Sequence, residues 1–168
     1  MRNTVVAYIG LGSNQDHPVR QVRSAIDELA QLPSTRLLKS SPLYKSAPLG
    51  PADQPDYINA VAALETGLAP PALLAELQTI ERQHGRVRGA SRWGPRSLDL
   101  DLLLYGEVRI DTPELQVPHP GLPERLFVLY PLADIAPDLE VPGYGPLRQL
   151  LARCTQTRIE LLGETADE

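Results

Sequence analysis

Cysteine, tryptophan, phenylalanine and methionine each occur once in this 168-residue sequence. A single cysteine, Cys154, excludes an intrachain disulfide and any thiolate metal cluster built within one chain, so a buried structural thiol is its expected role. No apolar run approaches the roughly 18 residues that span a bilayer. Met1-Arg2-Asn3-Thr4 leads into a strand-like run without the pattern of a cleavable signal. The expectation is a soluble, cytoplasmic protein. Lysine is also scarce: only Lys39 and Lys45 stand among 16 basic residues, and the net charge of -5 offers no sequence-wide attraction to nucleic acid or anionic membrane. Neither is expected as a partner.

Three familiar motifs are missing. Neither lysine follows a glycine, which excludes a G-x-x-x-x-G-K-[ST] phosphate loop. Gly10-Leu11-Gly12 begins like a dinucleotide fingerprint, but Gln15 occupies the place of its third glycine. Ser13 lies in no G-x-S-x-G elbow and Cys154 has no histidine nearby in sequence, so a protein nucleophile has little support. A bound nucleotide would have to be held by arginines and metal.

The sequence is rich in apolar residues (42%) and in loop formers, with 17 prolines and 12 glycines. This is enough for one packed domain, residues 1–168, with ordered loops. Val5-Val6-Ala7-Tyr8-Ile9 reads as a first strand, closed by the turn-like Gly10-Leu11-Gly12-Ser13-Asn14. Val22, Ala25, Ile26 and Leu29 recur at helical spacing between Pro18 and Pro33. Thr35 to Tyr44 is a second strand followed by a long loop to Pro55, and Tyr57 to Leu64 a third. From Pro71, the repeat Leu73, Leu74, Leu77, Ile80, Glu81 predicts a second helix ending at Gly85. Leu98 to Tyr105 is a fourth strand, and Gly106 turns toward a short extra strand around Val108-Arg109-Ile110. The order β-α-β-β-α-β predicts a ferredoxin-like α+β core with both helices on one face of its sheet. Helical pieces near Pro123 to Ala136 and Pro146 to Arg153 would cover the other face, giving α/β/α layers.

The strongest chemical signal is Arg96-Ser97-Leu98-Asp99-Leu100-Asp101-Leu102. Side chains alternate along a strand, so Leu98, Leu100 and Leu102 share one face while Asp99 and Asp101 project from the other. A carboxylate pair of this kind suits Mg²⁺, which takes few protein ligands beside waters and substrate phosphates. An isolated D-x-D would serve equally well as the solvated face of an amphipathic strand. Beside it, however, Gly85 to Arg96 carries Arg86, Arg88, Arg92 and Arg96 together with Trp93. Arginine forks grip phosphate oxygens, and the glycines and proline suit a segment that closes over a nucleotide. His119, in Val117-Pro118-His119-Pro120, sits in a proline-shaped loop.

These segments resemble the 6-hydroxymethyl-7,8-dihydropterin pyrophosphokinase family along almost the whole chain. The resemblance is carried by Tyr8-Ile9-Gly10-Leu11-Gly12-Ser13-Asn14, Asp53-Gln54-Pro55-Asp56-Tyr57-Ile58-Asn59-Ala60, Arg92-Trp93-Gly94-Pro95-Arg96-Ser97-Leu98-Asp99-Leu100-Asp101, and Val117-Pro118-His119-Pro120. It implies ATP and 6-hydroxymethyl-7,8-dihydropterin as substrates, with the hydroxymethyl oxygen attacking the β-phosphorus and AMP leaving, in a monomeric enzyme of folate synthesis. Asp99 and Asp101 would bind two Mg²⁺ ions, and Arg86 and Arg96 would hold phosphates during transfer. Arg88, Arg92, His119, Gln78 and Glu81 would join the ATP site, with Leu74, Val87, Leu102 and Leu115 around adenine. For the pterin, the family match points to Ser46, Ala47, Leu49, Tyr57, Asn59, Trp93 and Phe127. Tyr57 and Phe127 could sandwich a flat ring, and the amide of Asn59 could read its edge.

Two departures from the family pattern stand out. Ser46 replaces a common threonine but keeps the hydroxyl, and Gly121 and Pro123 replace more polar or basic residues after the histidine. The competing interpretation is a non-catalytic nucleotide- or small-molecule-binding regulatory module, since the same core hosts such domains. It would not need Asp99, Asp101 and the arginines together.

Overall fold

The first strand is longer than its sequence suggests. In the computed structural model, which describes residues 4–15, 17–46, 56–85, 98–154 and 159–162, β1 (Val5–Ser13) runs straight through Gly10-Leu11-Gly12. It is an interior strand, paired on both sides. Its register with β4 (Tyr57–Thr66) runs from Val5↔Thr66 to Ser13↔Ile58, and with β5 (Asp99–Tyr105) from Ala7↔Tyr105 to Gly12↔Asp99, both antiparallel. A glycine in a strand costs roughly 0.5–1 kcal/mol in lost chain freedom, which pairing on both sides offsets here.

The second strand expected from the sequence divides. β2 (Thr35–Ser40) and β3 (Tyr44–Ser46) both pair with β4, on either side of a break containing Pro42, which has no N–H to give. Ser41 bridges the break: its N–H donates to Val61 O at 2.8 Å and its Oγ accepts from Val61 N at 2.9 Å. β10 (Ile159–Leu161), which periodicity did not reveal, extends the sheet beyond β3, giving the order β10-β3-β4-β1-β5 with β2 also on β4. The central order, with β1 between β4 and β5, is that of the expected ferredoxin-like core.

Both faces are covered as anticipated. Prolines open α1 (Pro18–Leu29) and α2 (Pro70–Gln83), where a fixed φ helps and no N–H is missed. Val22, Leu29, Leu73 and Leu77 of these helices pack with Ile9, Leu11, Leu64, Leu98, Leu100 and Leu102 of the sheet. His84, just past α2, ties the two helices together through ring-nitrogen contacts to Gln21 and Glu28 of α1. On the opposite face, a 3-10 turn (Leu122–Glu124), α3 (Leu126–Ile135) and α4 (Leu147–Arg153) bury Leu122, Leu129, Leu132 and Leu147 against Val61, Leu103 and Leu104. Consecutive Leu103 and Leu104 both belong to this second core because the register shifts from Tyr8↔Leu104 to Ile9↔Leu102, leaving Leu103 as the extra residue of a bulge.

Two local expectations are corrected. The short strand near Val108 does not return to the fourth strand: β6 (Ile110–Asp111) pairs with β7 (Gln116–Val117). The turn at Gly106 (φ 56°) is closed by its N–H on Val6 O, and Val108 N donates to Tyr105 O, which ends β5 there. A further hairpin joins β8 (Glu140–Val141) to β9 (Gly145–Pro146). Cys154, expected to be buried, is only half-buried, with its thiol directed to Glu124 O at 3.3 Å. Among the described residues no helix is long and apolar enough to cross a membrane.

Candidate functional site

Asp99 and Asp101 stand half-buried on the face of β5 opposite the leucines, as alternation requires. β5 is an edge strand, and the chain's own residues hold two of its outward backbone groups. His119 N donates to Leu103 O at 3.0 Å, and the Oε2 of Glu81, on α2, accepts from Leu100 N at 2.8 Å. Leu100 lies between the two aspartates, so Glu81 fixes the strand segment that presents them. Glu81 is only 7% exposed. Glu81→Ala should cost about 1–3 kcal/mol by leaving a buried N–H without this acceptor, while Glu81→Gln, which keeps a side-chain oxygen, should recover most of it. Thermal unfolding of the two variants checks this; an alanine variant as stable as the parent would remove Glu81 from the strand's support.

The loop after β7 brings His119 to the carboxylates. Val117–Pro118 is a cis peptide, and His119 Nε2 lies 3.9 Å from Asp101 Oδ1. Its Nδ1 accepts from Gly121 N–H at 3.0 Å, so in the neutral ring the proton sits on Nε2, facing Asp101. Burial lowers the histidine's pKa below its ordinary value; Asp101 opposes that shift and Arg125 adds to it. No sequence signal singles out Arg125. Its guanidinium lies over the Phe127 ring, 5.7 Å from the centroid, and occupies the space beside Gly121, where a Cβ would come within 2.5 Å of Cζ. The unusual glycine after the histidine thus leaves room for an arginine four residues on.

Across the sheet, the register sets Tyr44, Asn59, Gly12 and Asp99 in one row. Adjacent strands are about 4.8 Å apart, so Asn59 and Asp99 stand about 10 Å apart with only Gly12 between them. Gly10 occupies the next site-facing position, opposite Asp101. A Cβ on Gly12 would stand 3.3 Å from Asn59 Nδ2 and 3.6 Å from Tyr57 Cδ1. Between the amide and Asp99 the strand therefore carries no side chain, which is why a glycine stands in the strand interior at position 12, while at Gly10 the Leu103 side chain packs 3.4 Å from where a Cβ would stand. Asn59 is buried, and its Oδ1 accepts from Ser46 Oγ at 2.5 Å. This bond fixes the carboxamide and turns its NH₂ toward Gly12. Tyr57 and Phe127 are both half-buried.

The structure thus gathers Ser46, Tyr57 and Asn59 at one end of a row and Asp99, Asp101 and His119 at the other. It does not bring Leu102 to them. That side chain is 3% exposed, in the core between the sheet and α1 and α2, with Leu115 packed against the same core. Leu74 is half-buried and Gln78 exposed on α2. Ala47, Leu49, Arg86, Val87, Arg88, Arg92, Trp93 and Arg96 lie outside the described residues. Among the described residues no group of three or more His, Cys, Asp or Glu could enclose a metal ion. A half-exposed carboxylate pair on a rigid strand suits Mg²⁺, whose remaining positions go to water and phosphate oxygens, and does not suit a closed structural site.

Residues 8–137 match the family model for 7,8-dihydro-6-hydroxymethylpterin-pyrophosphokinase. The chain is 56% identical over 155 residues to the 2-amino-4-hydroxy-6-hydroxymethyldihydropteridine pyrophosphokinase of Pseudomonas aeruginosa, covering 92% of this chain and 95% of that protein. It is 50% identical over 147 residues to the protein of the same name from Haemophilus influenzae, covering 88% and 91%. Among solved structures, wild-type Plasmodium falciparum HPPK-DHPS with pteroate superimposes with a TM-score of 0.71 at 14% identity, a likeness of fold. The match covers 91% of this chain and 43% of that longer one.

Proposed function

The chain belongs to the 7,8-dihydro-6-hydroxymethylpterin-pyrophosphokinase family, and on that premise we propose that the stretch of sheet from Asn59 across Gly12 to Asp99 is where its two substrates meet. The protein is a diphosphotransferase of folate synthesis: it moves pyrophosphate from ATP to hydroxymethyldihydropterin. The observation that carries the assignment of the site is the row Asn59, Gly12, Asp99, a buried hydrogen-bonding amide separated from a carboxylate by bare backbone.

At the acceptor end, Asn59 reads the edge of the pterin, oriented by Ser46, and Tyr57 and Phe127 flank the ring, with Ala47, Leu49 and Trp93 completing the pocket. The ring lies over Gly12, and its hydroxymethyl group reaches toward Asp99 and Asp101. These aspartates would hold the two Mg²⁺ ions expected with ATP. When bound, Mg²⁺ supplies charge neutralisation at the phosphate oxygens. His119 offers Nε2–H as a donor from a backbone-anchored ring, and Arg86, Arg88, Arg92 and Arg96 contribute the fixed positive charge that phosphoryl transfer demands. Gln78, Leu74 and Val87 belong to the nucleotide side, while Glu81, Leu102 and Leu115 stand behind it in the packed interior. The new bond forms between the hydroxymethyl oxygen and the β-phosphorus as that oxygen gives up its proton to solvent, the bond from that phosphorus to the α–β bridging oxygen breaks, and AMP leaves with that oxygen on its phosphate. No covalent intermediate on the protein is needed, so alignment and electrostatics provide the catalysis.

The enzyme acts as a monomeric single domain, residues 1–168, in the cytoplasm on two small soluble substrates, with no nucleic-acid or membrane partner. The net charge of -5 supports this last point. Incubation with MgATP should release AMP only when hydroxymethyldihydropterin is present, with one pterin diphosphate formed per AMP. AMP release independent of the pterin would contradict the assignment. Gly12→Ala should weaken pterin affinity about tenfold or more, as overpacking by one methyl against Asn59 costs about 1–3 kcal/mol. Its affinity for MgATP should change little. Calorimetric titration with each ligand distinguishes this from a general loosening of the fold.

A further inference from the structure

We propose that Tyr44 and Asp134 form a positioning pair that holds α3, and with it Phe127, over the acceptor end of the site. The proposal rests on the reading of Tyr57, Asn59 and Phe127 as pterin contacts. Tyr44 is the cross-strand partner of Asn59, and Ser46, two residues on and facing the same way, is the residue bonded to the Asn59 amide. Tyr44 is 9% exposed, and its hydroxyl donates to Asp134 Oδ2 near the end of α3. Burial chiefly, then the hydrogen bond and charge of Asp134, and lastly Tyr130, push the phenol far above its ordinary pKa. Tyr44 therefore remains a protonated donor throughout the neutral range.

Asp134 follows Phe127 by seven residues, about two turns of helix. The two side chains thus lie along one stripe of α3, joined by a segment whose Leu129 and Leu132 are fully buried. With the middle of the helix packed, a bond at its far end limits the remaining rocking and sliding, and so limits where the Phe127 ring can lie. That ring is half-buried, with Arg125 against it. The pair joins residues 90 positions apart in sequence, and it links the row that reads the pterin edge to the helix that covers the ring. Apolar packing alone would not need the hydroxyl, because a phenylalanine would fill the same volume.

Calorimetric titrations with hydroxymethyldihydropterin in the presence of a Mg²⁺ complex of a non-transferable ATP analogue, and with that complex alone, test the pair. Tyr44→Phe should weaken the pterin about threefold to tenfold, the loss of one hydrogen bond, and change nucleotide affinity by less than about twofold. Asp134→Ala should behave like Tyr44→Phe, Asp134→Asn should retain most pterin affinity through its remaining oxygen, and the double variant Tyr44→Phe/Asp134→Ala should be no weaker than either single one. Equal losses for both ligands would show general loosening and overturn the positioning role. So would an Asp134→Asn variant as impaired as Asp134→Ala. Asn59→Ala separates the levels of the proposal: a pterin loss there with none in Tyr44→Phe overturns the pair alone, and no loss in either overturns the pocket with it.

Discussion

Replacing Asp99 or Asp101 by asparagine is expected to reduce turnover by on the order of a hundredfold to a thousandfold, the rate equivalent of several kcal/mol of lost charge stabilisation. Asparagine keeps the size and one oxygen but removes the charge that, in the proposed site, would hold Mg²⁺. The fold should persist, because the strand is anchored by the buried leucines at 98, 100 and 102 on its other face and by Glu81 on its edge. Neutralising one of two neighbouring carboxylates also relieves their repulsion. The double variant should lose much less than the product of the single losses, since in the proposed site both residues would serve the same Mg²⁺ ions. Circular dichroism would establish folding, and AMP formation across a Mg²⁺ titration would measure the chemistry. A folded double variant with near-normal, Mg²⁺-dependent turnover would overturn the role of the strand.

The second large effect is expected at the other end of the row. Asn59→Ala should weaken pterin binding by about 1–3 kcal/mol, the cost of leaving buried polar groups of the heterocycle unpaired, and leave MgATP binding nearly unchanged. Part of the loss would come through Ser46, whose buried hydroxyl gives its proton to Asn59 Oδ1. The expected separation of the two affinities follows from distance: Asp99 lies two strands away across Gly12. Equal losses for both ligands, measured by titration with each alone, would make Asn59 a scaffold residue.

How much of this arrangement can be read in the sequence depends on whether a feature is local. The facing of Asp99 and Asp101 away from Leu98, Leu100 and Leu102 follows from the two-residue period of a strand, and the helical repeats of α1 and α2 follow from 3.6-residue spacing. Gly10 and Gly12 mislead for an equally local reason. Glycines read as a turn, yet they lie inside strand β1 because Asn59, Tyr57 and Leu103 crowd the space where side chains would stand. The row from Tyr44 to Asp99 depends on pairing registers among four strands, which no single segment contains. Arg125 escapes notice because a lone arginine before a helix carries no pattern; its importance appears only when Gly121, His119 and Phe127 are seen around it. The contacts of Glu81 with Leu100 and Tyr44 with Asp134 span 19 and 90 residues, and neither has a sequence signature.

The most direct test of the shared site is a crystal structure with hydroxymethyldihydropterin and a Mg²⁺ complex of a non-transferable ATP analogue bound together. The pterin edge should hydrogen-bond to Asn59, its ring should lie over Gly12, and Asp99 and Asp101 should both ligate Mg²⁺ on the triphosphate. A pterin bound away from Gly12, or Mg²⁺ on the triphosphate without either aspartate, would contradict this arrangement.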